Sequence, residues 1–236
     1  TKLSSTQTGS LTSSQIQLLS TTQLQGLNTQ VIRALNSNQI PGLTSVQIAS
    51  LNQAQAKSIS ALQLSLLNSS QTAALSTTSI AALDLTSLAS LQASSLTSAQ
   101  VKSLKATQVK SLSTSQIAAL PTLQTQQLSM DAIKALTNAQ VTALRTDQIN
   151  KLTDTQIATL TATQLNALTS NQIPQLKASA LRSLSIAGMS SDKLLFLTQS
   201  QINTLSADQW NSLGSSKRRS ILAGNPPSIP VKTKPT

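Results

Sequence analysis

Residues 136–168 read "LTNAQVTALRTDQINKLTDTQIATLTATQLNAL", and Leu returns in them every eight residues, at 136, 144, 152, 160 and 168. Gln follows four residues after each of the first four, at 140, 148, 156 and 164. A period of eight belongs to neither a helix nor a strand. Eight residues at ~100° each would carry a straight helix about 80° past two full turns, so the Leu side chains would spiral around it and define no buried face. The metre therefore requires a break in every repeat.

The octad frame extends outward from this stretch in both directions. With Leu as position 1, octads start at Leu3 and continue to Leu75, resume at Leu88 and run to Leu176, then resume at Met189 and run to Leu213. Two five-residue units join the runs, Leu83–Ser87 and Leu184–Gly188, and Ile221 closes the series. Position 2 is Ser, Thr or Asn in 20 of 26 octads, and position 5 is Gln in 20 of 26. Position 6 is Ile, Val or Leu in 19 of 26, and position 8 is Ala, Ser, Gly or Thr in 20 of 26.

Each preference has a mechanical reading. Ser or Thr followed three residues later by Gln is a capping box. The hydroxyl accepts from the Gln backbone N–H, and the Gln side chain accepts from the cap N–H. Every octad thus announces a helix start. Position 6 and the next position 1 lie three apart, on one face of a helix. A helix of one and a half turns cannot stand alone in water, so the octads must stack and bury positions 1 and 6 in a continuous core. The small residue at position 8 lets neighbouring segments approach. This predicts an all-α solenoid of very short helices. Pro41 and Pro174, at position 7 of "QIPGL" and "QIPQL", oppose α geometry there, and a β-solenoid with short turns is the alternative they raise. The domain expectation is an octad solenoid over 1–221, with pentads at 83–87 and 184–188, followed by a Pro/Lys-rich tail or linker at 222–236.

Composition excludes several functions. The chain has no His, no Cys and no Glu, and all six acids are Asp. A disulfide framework, a Cys/His zinc site and a His-based triad are absent from its repertoire. No apolar run approaches the ~20 residues of a membrane helix. The sequence begins at Thr1 without a charged-then-apolar leader, which reads as a fragment or a processed product. Net charge is +11, but Lys217, Arg218, Arg219, Lys232 and Lys234 crowd the last twenty residues and leave +6 for the rest. With two aromatic residues, Phe196 and Trp210, the chain lacks the stacking platforms of nucleic-acid binders, and nucleic acid is not an expected partner.

The remaining candidate chemistry dissolves into the repeat. Asp131, Asp147, Asp192 and Asp208 all occupy position 4, in the first helical turn, where a carboxylate favours the helix dipole. Most octads have no Asp, so no calcium array follows. No Ser stands apart from its equivalents as a nucleophile beside Lys. Lys102, Lys105 and Lys110 form a small cluster, and bases recur at position 7 (Arg33, Lys57, Lys102, Lys110, Lys134, Arg182, Arg219), which marks a solvated face. "KRRS" at 217–220 is read as a polar cap on the last repeat. Met189, Phe196 and Trp210 are read as a bulkier terminal core. No catalytic, cofactor-binding or metal residue is expected.

Written as "LTSAQVKSLKATQVKSLSTSQIAAL", Leu96–Leu120 resembles the Leu/Thr/Gln/Ile-rich octapeptide arrays of large secreted or surface-attached proteins of Gram-negative bacteria. The resemblance covers Leu3 to about Ile221 and is one of repeat style; the pentads and the basic tail depart from it. It implies export to the cell surface and a structural or adhesive role. The expectation is a non-enzymatic spacer or filament-forming element that self-associates end to end. An adhesin or binding module for polysaccharide, ice or another anionic or polar surface is the alternative.

Overall fold

A computed structural model describes residues 3–224 of the chain. Among these residues every regular element is a helix, four to six residues long except for the last, with four short 3-10 segments and no strand. The all-α reading holds, and the β-solenoid alternative does not. The described residues form two compact units divided between Ala135 and Leu136, and the same local rules operate inside each.

The octad Leu144–Lys151 shows the local logic. Leu144 and Arg145 are extended, at φ −59°, ψ 133° and φ −71°, ψ 156°, and the helix Thr146–Lys151 fills the other six positions. The break therefore costs two residues in ordinary L-amino-acid conformations. No described residue has a positive φ, so the turns need no glycine, and the sequence has only six. The next helix restarts because position 2 supplies its cap. Thr153 accepts from the Gln156 N–H at 3.1 Å, and its own N–H donates to Gln156 Oε1 at 2.8 Å. This reciprocal box recurs from Ser4 to Ser206. At Lys105 and Arg145 only half survives, with the backbone N–H donating to Gln108 and Gln148.

Positions 1 and 6 form the core. Leu144 and Ile149 are buried, as are their equivalents from Leu27 to Leu197. At Pro41 and Pro174 the helix shrinks to the 3-10 segments Ile40–Gly42 and Ile173–Gln175, yet Ile40 and Ile173 stay buried. Proline removes the N–H a longer helix would use, and the unit shortens without leaving the core. Position 8 is small where coils close on each other: a Cβ on Gly42 would sit 2.8 Å from the Ser13 carbonyl oxygen.

Three expectations need correction. The short unit near residue 90 is Leu91–Ser95, not 83–87. Asp84 caps a full helix, Leu85–Ala89, with Leu88 buried at position 6, and the 3-10 segment Ala93–Ser95 follows with Ala93 in the core. Framed this way, both short units are built alike, since Leu184–Gly188 ends in the 3-10 segment Ile186–Gly188 with Ile186 buried. Second, of the bulkier terminal residues only Met189 is core; Phe196 is 40% exposed and Trp210 is half-buried. Third, the last helix runs Ser215–Gly224 and carries Leu222, Ala223 and Gly224 with it. The rest of the expected tail, 225–236, lies outside the described residues.

Candidate functional site

What the arrangement concentrates is a ladder of buried glutamines. In the ladder the Oε1 of a position-5 Gln serves its own cap, and its Nε2 reaches the coil beneath, as at Gln47. Gln47 Nε2 donates to the carbonyls of Ile16 at 2.9 Å and Leu19 at 2.7 Å. Gln55 repeats this on Leu24 and Leu27, Gln63 on Ile32 and Leu35, and Gln71 on Ile40 and Leu43. In the second unit Gln172 does the same to Val141 and Leu144. In these five the targets are position 6 of one octad and position 1 of the next, whereas Gln116 takes the carbonyls of Ala89 and Leu91. These carbonyls lie at the C-terminal ends of the short helices, where the backbone leaves acceptors unsatisfied.

Two sets of ties bracket the coil. The Gln bonds span 28 and 31 residues, whereas Gln25 Nε2 to Ser50 O and Thr142 Oγ1 to Ala167 O span 25. One coil therefore holds between three and four octads. The short units count as whole repeats. Across Leu91–Ser95, Gln100 reaches Thr72 and Leu75, 28 and 25 residues back, each three fewer than usual. Across Leu184–Gly188, Gln201 reaches Ile173 and Leu176 at the same reduced spacings. A pentad omits three residues and preserves the register of the ladder.

Lysine takes the glutamine position near the end of the stack. Lys193 Nζ donates to the Leu168 carbonyl at 2.7 Å, and Lys217 Nζ donates to that of Ala187. Arg218 turns onto the last octad, with Nε on the Trp210 carbonyl and a terminal nitrogen on that of Asn211, both 2.9 Å, and its guanidinium lies 5.9 Å from the Trp210 ring centre. Sequence reasoning read Gln as a cap alone and missed the second task. One signal carried it: a capping box accepts Glu as readily as Gln, and this chain has no Glu. A carboxylate has no N–H to offer the lower coil.

The other candidates are dispersed. Asp131, Asp147, Asp154, Asp192 and Asp208 sit in first helical turns. No three His, Cys, Asp or Glu residues gather as a metal group among the described residues. Asp84 is held below the ordinary carboxylate value, chiefly by the Ser87 backbone N–H at 2.7 Å. Asp192 is lowered too, first by a hydrogen bond from the Ser190 side chain. Both carboxylates are exposed, and of the two only Asp84 is a helix cap. The position-7 bases Arg33, Lys57, Lys102, Lys110, Lys134, Arg182 and Arg219 are all exposed, as is Lys105. No described helix is long and apolar enough to cross a membrane. Among the described residues, the hydroxyl of Thr72, at a position-6 core site, is a buried polar atom without a partner.

The described fold thus defines an α-solenoid repeat protein. Residues 19–53 match the ALTTAQ repeat, whose letters correspond to octad positions 8 and 1 to 5, as in Ala135-Leu136-Thr137-Asn138-Ala139-Gln140. Among curated proteins, none matches the chain.

Proposed function

We propose that this chain is a non-enzymatic structural element, a spacer whose length is set by the number of octads it stacks. The observation behind this reading is that the polar chemistry of the repeat is turned inward. The cap hydroxyls bind N3 amides and the Gln amides bind the coil below, as at Thr44 and Gln47. The group repeated most often is spent on cohesion, and the outward positions vary from octad to octad without a constant set of functional residues. Export to a cell surface is part of this proposal and rests on the repeat-style resemblance. Self-association end to end belongs to it as well.

An adhesin is the competing reading, in which outward Ser, Thr and Asn hold a polysaccharide. The ladder gives it no regular flat hydroxyl face, because the recurrent hydroxyl is the cap. Glycan-array binding and a hydrolase panel on the purified chain test the proposal. The expected result is no saturable glycan binding and no turnover. Saturable binding to one polysaccharide class would replace the spacer with an adhesin.

A further inference from the structure

We propose that one turn of the first unit, between residues 53–74 and 77–95, is a built-in seam, at which the stack opens first and reversibly while the coils on either side stay folded. Three stacked pairs make up this turn: Gln53–Ser58 against Thr77–Ala82, Ala61–Ser65 against Leu85–Ala89, and Ser69–Ala74 against the 3-10 segment Ala93–Ser95. The glutamine rungs are missing from it. At the spacings Gln47 uses, 31 and 28 residues, a Gln at position 79 would reach the carbonyls of Ile48 and Leu51, and one at 87 those of Ala56 and Ile59, but Ser79 and Ser87 stand there. Both hydroxyls stay in their own caps: Ser79 Oγ lies 2.7 Å from Ser76 Oγ, and Ser87 bonds the Asp84 carboxylate. In the short unit, Gln92 is exposed and its Oε1 accepts from Ser95 Oγ at 3.4 Å.

On each side of the seam the ladder is intact. Gln55, Gln63 and Gln71 fix residues 53–74 to the coil beneath, and Gln108 and Gln116 fix 77–95 to the coil above. Rungs resume at Gln100, on Thr72 and Leu75, where the chain itself passes from one side of the seam to the other. That end is the hinge. Among the described residues, the hydrogen bond that spans the three pairs is an exposed one, from the Ser95 hydroxyl to that of Ser69 at 2.9 Å. The charge of Lys57 acts on Asp84 across the turn, but both residues are exposed and solvent screens the attraction.

The core is thinner at the same place. Counting the short unit as a repeat, position 6 is Ile, Val or Leu from Ile16 to Ile117 except at Ala56, Thr72 and Ala93, and all three belong to the seam. Thr72 adds a buried hydroxyl without a partner. Leu64, Ile80 and Leu88 remain buried, so the turn is closed at rest. Local opening draws on the regions with the least apolar burial and the fewest ties. In a spacer under tension this turn yields before its neighbours. That use rests on the reading above, whereas the seam itself belongs to the fold.

Thiol labelling below the unfolding transition tests this, since the chain has no Cys of its own. Ile80→Cys and Leu88→Cys place a thiol in the seam, and either suffices; Ile32→Cys and Ile117→Cys place one outside it, and all four parent residues are buried. With helical circular dichroism retained, the seam thiols are expected to react on the order of tenfold faster or more. Ser79→Gln with Ser87→Gln supplies two rungs and should slow the seam thiols while leaving the other two unchanged. If that pair loses its helical signal, Thr72→Val is read in the same way. Seam thiols that react no faster than the others overturn the proposal, as does seam labelling that these substitutions leave unaltered. Saturable glycan binding would remove the spacer reading without altering these rates.

Discussion

At the residue scale, each side chain has one or two countable duties. Leu144 and Ile149 fill the core, and truncating either to Ala should cost about 2–5 kcal/mol, read from chemical unfolding. Thr72 is the opposite case. It occupies a position where Ile is usual, and its hydroxyl is buried without a partner. Thr72→Val keeps the shape and removes a group whose unmet desolvation costs ~1–3 kcal/mol, so the variant should unfold at higher denaturant. An unchanged or lower midpoint would mean that the hydroxyl finds a partner in solution. Asp84 is a cap with a lowered pKa. A depressed carboxylate stabilises above its unfolded value, near 3.8, and loses that contribution as pH falls through the lower folded value. Asp84→Asn, which also caps well, should match the wild type near neutrality and show less acid sensitivity below that point, whereas Asp84→Ala should lose about 0.5–2 kcal/mol at neutral pH.

At the element scale, the unit is a helix of six residues followed by two extended ones, and register is counted in units. Deleting the whole octad Leu144–Lys151 should leave a helical, cooperatively unfolding protein. Deleting only residues 148–151 should not, because the following Leu and Gln would leave their partners. Equal melting curves for the two deletions would contradict the account. This level was largely legible in the sequence: the capping box fixed where helices start, and the three-residue step from position 6 to Leu fixed the buried face. The first short unit was misplaced because Leu83, Leu88 and Leu91 can each open an octad on paper. Asp84 as a cap and Ala93 as a core residue decide for 91–95, and both depart from the consensus letters. Phe196 and Trp210 misled for another reason. Size and apolarity suggest a core, but Phe196 stands at position 8, where Leu18 is also exposed, between the buried Leu194 and Leu197, and Trp210 lies near the last coil, where Ile202 and Leu205 are likewise half-buried.

At the scale of the whole molecule, cohesion comes from apolar burial and amide ladders rather than charge. Only 10% of residues are charged, and the Arg145–Asp147 pair is 42% and 54% exposed, a setting worth at most ~1 kcal/mol. Stability should therefore change little between low and moderate salt; a large salt dependence would point to ion pairs the account leaves out. The candidate site was only half legible. The sequence displayed the Gln in 20 of 26 octads, but its Nε2 acts across 28 to 31 residues at Gln55, a distance no local motif announces.

The most direct test replaces one rung. Gln55 is buried, accepts from the Asn52 N–H and donates to the Leu24 and Leu27 carbonyls. Gln55→Glu keeps the acceptor for the cap and turns the donor into a second acceptor facing those carbonyls. If the ladder holds the coils together, Gln55→Glu is less stable than Gln55→Ala at pH 7, by chemical unfolding. The gap then closes in acid: burial raises the folded-state pKa of the new carboxyl, so protonation as pH falls through it removes the penalty and restores a donor. A Glu variant as stable as the wild type at pH 7, and more stable than Ala, would show that Gln serves only as a cap and would contradict the ladder.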